Sequence, residues 1–168
     1  MIEQLPLLTF VGLLAIAAGS DVARMTIPNW VSLALTGLFP LAALASGFSL
    51  GAIGLHLAFG AGVLAVCYLL FQAKILGGGD AKLIAATAVW TGLAAFGVFA
   101  LWTALAGGAL ALLLLIARWR LKPAETRPAF VNRLLKVRGG VPYGVAIMAG
   151  GLMALQASPL ADLALTIP

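Results

Sequence analysis

The segment Gly77-Gly78-Gly79-Asp80-Ala81-Lys82-Leu83 sets a carboxylate directly after three glycines, between two long apolar runs. The chain has five acids, and Glu3, Glu125 and Asp162 fall in tails or in a basic loop. Asp21 and Asp80 remain, each at the end of an apolar run, where an ionisable group is costly and is a functional candidate by default. Two carboxylates brought within a few Å do not both ionise readily and share a proton. Such a pair hydrolyses peptides: one carboxylate takes a proton from water while its protonated partner polarises the scissile carbonyl and later protonates the leaving amine. Gly77, Gly78 and Gly79 lack Cβ atoms, allow positive φ, and let Asp80 approach Asp21 or a substrate strand.

Each residue also has a purely structural reading. Asp80 suits the N-terminus of a helix, where a carboxylate accepts free N–H groups, and three glycines suit a turn. Asp21 fits a structural role less well. It falls near a helix C-terminus, the unfavourable end of the dipole for an acid, with only Arg24 one turn on as local relief.

The elements that must position these acids are membrane helices. Of 168 residues, 63% are hydrophobic and 9% charged, with a mean hydropathy of +1.13, beyond what a soluble domain carries. Runs such as Ala109 to Ala117 lack the alternation of a barrel strand, so the fold class is all-α and polytopic. Helices are expected at Leu5–Ser20, Trp30–Ser46, Ala52–Phe71 and Val141–Ala157. The run Leu83–Ala117 would be roughly 52 Å long as one helix, too long for a single span. Gly92 and Gly97 bracket a turn that divides it into helices at Ala81–Ala95 and Val98–Ala117. The first run opens without Lys or Arg, unlike a secretory signal, and is expected to be retained. The single Cys67 builds neither a disulfide framework nor a thiolate metal site.

Charge placement supports six spans. With that count all ten Lys and Arg residues, seven of them in the 118–140 loop, share one face, and cytoplasmic loops collect such residues. Both termini are then expected outside the cytoplasm, in one transmembrane domain over residues 1–168. The net charge of +5 reads as a topological signal and a contact for anionic lipid, not as a nucleic-acid footprint.

Three stretches together resemble one family. Gly77-Gly78-Gly79-Asp80 matches the GxGD signature of membrane aspartyl proteases, and its continuation through Lys82-Leu83 resembles the GGGDxKL form of type IV prepilin peptidases. Asp21 with Ile27-Pro28-Asn29 is similar to the first catalytic aspartate and IPN segment of that family. Gly140-Val141-Pro142-Tyr143-Gly144 is similar to its PYG element. The resemblance implies Asp21 and Asp80 as the catalytic pair. It implies removal of a short basic leader from a prepilin at the cytoplasmic face of a bacterial inner membrane, without metal or cofactor. Bifunctional members carry paired CxxC zinc motifs, whereas this chain has one Cys and resembles the peptidase-only form of tight-adherence (Flp) pilus systems. N-methylation is not expected.

Other residues are secondary candidates. Asn29 could hydrogen-bond a catalytic carboxylate or substrate, although Pro28-Asn29 also suits a turn. By the resemblance, Pro142, Tyr143 and Gly144 line the substrate groove, yet Pro at a helix start and an interfacial Tyr are ordinary. Lys82 is placed to tune Asp80 or only to mark the inside. His56 has no partner acid, and no metal role is expected. Two other readings use the same aspartates: a small proton-coupled transporter with the acids as a relay, and a non-catalytic assembly subunit that tolerates their replacement.

Overall fold

The computed structural model describes residues 5–136 and 139–157. Glu3, Arg138, Asp162 and both termini lie outside the described residues. Those described form six helices and no strand: α1 Leu5–Arg24, α2 Asn29–Ala45, α3 Leu50–Gln72, α4 Gly78–Arg120, α5 Ala129–Leu134 and α6 Tyr143–Leu155. Three of them, α1, α3 and α4, are long and apolar enough to cross a membrane, while α2 and α6 are shorter apolar helices.

Helix α4 is two helices joined at Gly92, whose φ of 61° and ψ of −176° interrupt the helical run. A straight helix would hold Asp80 and Gly107 about 40 Å apart. Yet Gly107 lies against the Tyr143 ring, and Tyr143 lines one cavity together with Asp80 and Thr103. The chain therefore doubles back at Gly92, into limbs 78–91 and 93–120. The reversal needs one residue rather than a turn between Gly92 and Gly97, and Gly97 stays helical. That backbone region is essentially reserved for glycine.

Helix ends elsewhere follow local chemistry. After α2, Gly47 adopts φ 79°, and the Gly47 and Phe48 N–H groups donate to Leu44 and Ala43 carbonyls, which closes a Schellman motif. Lys74, at φ 60°, plays the same part after α3, with N–H groups of Lys74 and Ile75 donating to Phe71 and Leu70. This stop aims the chain into the triple glycine.

The limb 78–91 is the centre of the bundle. Trp90 is fully buried, donates from Nε1 to the Leu35 carbonyl at 2.8 Å, and sits between the rings of Phe10 and Phe39 at 5.0 and 5.7 Å. It thus ties α1, α2 and α4 together. Lipid tails are as apolar as leucine, so association of such helices rests on close packing and internal hydrogen bonds. Small residues provide this at α6, where Gly150 lies against Thr103 and the Phe99 carbonyl, and Gly151 against Leu14. Leucines such as Leu33, Leu55 and Leu69 stay exposed on the outside, as suits a lipid-facing surface.

The basic loop contains α5, a helix too short for its periodicity to show in the sequence. Its arginines hold helix ends as well as marking a side. Arg118 donates to the Leu134 and Gly140 carbonyls, and Arg133 to the Ala23 carbonyl at the end of α1. Asn132 closes the loop by donating to the Ala124 carbonyl and accepting from its N–H.

Candidate active site

Asp21 belongs to the last turn of α1, and Asp80 to the first turn of α4. Although they are far apart in sequence, both line one cavity of about 260 Å³ together with Met25, Thr26, Ile27, Asn29, Gly77, Gly78 and Gly79. Asp21 is 6% exposed.

What holds Asp21 is the start of the last helix. The Gly144 N–H, in the first turn of α6, donates to Asp21 Oδ2 at 2.8 Å in a buried setting. A helix N-terminus carries free N–H groups and the positive end of the dipole, so it is a natural partner for a carboxylate. The unfavourable position of Asp21 at the end of its own helix is answered by α6. Gly144 must stay small, since a Cβ there would stand 3.1 Å from Asp21 Cβ and Oδ2.

The triple glycine works through space. Gly77 has φ −71° and ψ 144°, and positive φ among described glycines occurs at Gly47 and Gly92 alone, so the expectation of positive φ in this loop is corrected. A Cβ on Gly77 would lie 2.7 Å from Asp80 Oδ2, one on Gly78 3.2 Å from the Phe71 ring, and one on Gly79 3.3 Å from Ile27 Cβ. Gly77 is the N-cap of α4 and gives no side-chain cap. Asp80 lies inside the first turn, so it is not an N-cap either.

The remaining candidates divide. Asn29 lines the cavity, and its Oδ1 accepts from Lys82 Nζ at 2.9 Å. Tyr143 lines a second, larger cavity that also reaches Asp80, whereas Pro142 is fully buried as the N-cap of α6. His56 faces the Val89 carbonyl at 2.8 Å and stacks on Phe39. Trp30 and Trp119 are exposed near the acid-bearing end, while Trp90 is core. Among the described residues no three His, Cys, Asp or Glu side chains gather into a metal site. Ile27 entered the sequence reading only as part of the Ile27-Pro28-Asn29 segment, Met25 and Thr26 were not singled out from sequence, and the positive φ of Met25, 56°, sets that turn apart. Residues 8–112 match the model of the type IV leader peptidase family.

The chain belongs to the type IV leader peptidase family. The matched span holds both aspartates, the Ile27-Pro28-Asn29 turn and the triple glycine, and ends before α6. The family is one of membrane peptidases, which agrees with an all-helical chain bearing three long apolar helices. No curated protein and no solved structure matches the chain. Gly144, which donates to Asp21, lies outside the region that carries the family match.

Proposed function

We propose that this protein is a membrane aspartyl endopeptidase that removes the short basic leader from type IV prepilins at the cytoplasmic face of a bacterial inner membrane. The observation that carries this reading is the shared cavity of Asp21 and Asp80, built from three helix ends within a family of leader peptidases. In the reaction the carboxyl pair shares one proton. The ionised member takes a proton from water, whose oxygen attacks the scissile carbonyl carbon as the protonated member donates to the carbonyl oxygen. Breakdown of the tetrahedral intermediate sends a proton to the leaving nitrogen, and the products are the leader carboxylate and the new pilin amine. Gly144 N–H occupies Oδ2 of Asp21, which leaves Oδ1 and the Asp80 carboxyl to handle water and the shared proton. Co-expressing the protein with a prepilin in a membrane host and sequencing the pilin N-terminus tests the reading. Loss of the leader supports it, and an unprocessed prepilin beside folded enzyme contradicts it.

The bases support the cytoplasmic side for cleavage. Arg24, Lys74, Lys82 and Arg118 lie on the helix ends and loops at the end of the bundle that holds the two acids, and such clusters stay in the cytoplasm. Single cysteines in a Cys67→Ala background check this. An impermeant thiol reagent applied outside is expected to label Ser49→Cys and Leu93→Cys and to spare Glu125→Cys. The reverse pattern would place the acids on the other side of the membrane.

Gly77 gives a separate test. A methyl group at Gly77 would collide with Asp80 Oδ2, and a displacement of about 1 Å at a catalytic group costs on the order of a hundredfold in rate. Gly77→Ala is therefore expected to slow leader removal about a hundredfold while the melting temperature in detergent stays within a few degrees. Wild-type turnover would show that Asp80 does not depend on that space.

A further inference from the structure

A groove of about 970 Å³ runs between α3 and the 93–120 limb of α4, with Ile84 on the intervening limb. Its walls are apolar, with Val66 and Leu70 on one side and Phe96 and Ala100 on the other, and its inner end is formed by Gly77, Asp80 and Tyr143. Val66 is 59% exposed, so the groove opens sideways to the bilayer. A smaller groove, of about 480 Å³, lies on the other side of α3 against α2 and ends at Asn29 and Lys82 without reaching either acid. The smaller groove shares Asn29 with the cavity that holds Asp21, whereas the larger shares Gly77 and Asp80 with it and so has a candidate catalytic carboxylate in its own wall.

Resting on the leader-peptidase reading, we propose that this larger groove is the berth for the apolar helix that follows the scissile bond of the prepilin. From Ala58 to Leu70 the α3 wall is roughly 18 Å long, enough for about three turns of a second helix. Gly62 and Ala100 face the groove, and a Cβ on Gly62 would meet nothing within 4 Å. Among the described residues no side chain comes within 4 Å of that position, and small residues let a second helix backbone come close. Phe59 and Phe96 meet edge to face at 5.1 Å at the far end, which sets the depth. A helix entering from the side keeps its backbone hydrogen bonds satisfied in lipid. Its first residues unwind where the apolar walls give way to Asp80, and the extended leader continues past the glycines into the polar cavity at Asp21.

The test compares the two faces of α3. Gly62 lines the larger groove and Ala61 the smaller. In a Cys67→Ala background, Gly62→Cys is expected to form a disulfide with a prepilin bearing one cysteine in the first three turns of its apolar helix, and Ala61→Cys is not. Gly62→Trp is expected to lower kcat/KM for full-length prepilin at least tenfold while a short peptide spanning the scissile bond is cleaved at the wild-type rate. Ala61→Trp is expected to change neither. Cross-linking at 61 instead of 62, or full-length cleavage unaffected by Gly62→Trp, would overturn the berth. The disulfide forms without turnover, so cross-linking at 62 with no cleavage by the parent protein would uphold the berth and refute the peptidase reading.

Discussion

Asp21→Asn and Asp80→Asn are each expected to slow leader removal about a thousandfold, the scale of losing one positioned acid or base. Neither carboxyl can stand in for the other, because one must accept the water proton while the other supplies a proton to the carbonyl oxygen. Asn matches Asp in shape, and at position 21 its side-chain oxygen can still accept the Gly144 N–H that now reaches Asp21 Oδ2 at 2.8 Å. Both variants should therefore insert and accumulate like the parent and bind prepilin with similar affinity. Initial rates of processing, set against the amount of folded protein in the membrane, make the measurement. Processing within tenfold of wild type in either variant would remove that aspartate from the catalytic pair.

Gly92→Ala is expected to cause a large loss of stability. Its φ of 61° and ψ of −176° lie where a side chain costs on the order of 3 kcal/mol. The added Cβ would also stand 2.5 Å from His56 Cε1. That ring has little room to retreat, since it faces the Val89 carbonyl and lies between Phe39 and Phe48 at 5.1 and 5.7 Å. Thermal melting in detergent should fall by many degrees, and membrane yield with it. Adding His56→Ala should recover part of the loss by removing the collision and leave the backbone cost. A melting temperature within a few degrees of wild type for Gly92→Ala alone would mean that the chain can reverse there by another route.

The helix bundle was largely legible in the sequence, because apolar runs and one-sided bases answer to the bilayer and not to tertiary detail. Expected boundaries for α2 and α3 differ by only one or two residues from those observed. Dividing the long run near Gly92 was also legible, since a single helix would overrun the membrane. That the reversal takes place on one residue was not, because it depends on the space His56 and its neighbours leave. The two acids stood out because almost no others occur in the apolar segments. The partner of Asp21 did not, as Gly144 is 123 residues away and reaches it only through the packing of α6 on α1. Of the two reasons for the triple glycine, close approach without Cβ atoms agrees with the structure, and positive φ does not. Close approach of Asp80, Phe71 and Ile27, not left-handed backbone, excludes side chains there.

The most direct test is to incubate the purified, detergent-solubilised protein with a purified prepilin and determine the masses of the products, beside the Asp21→Asn/Asp80→Asn double variant. Cleavage at the paired carboxylates predicts two fragments from one bond, a basic leader and a pilin beginning at its apolar helix, from the parent protein only. The same fragments from the double variant, or intact prepilin with a folded parent protein, would contradict it.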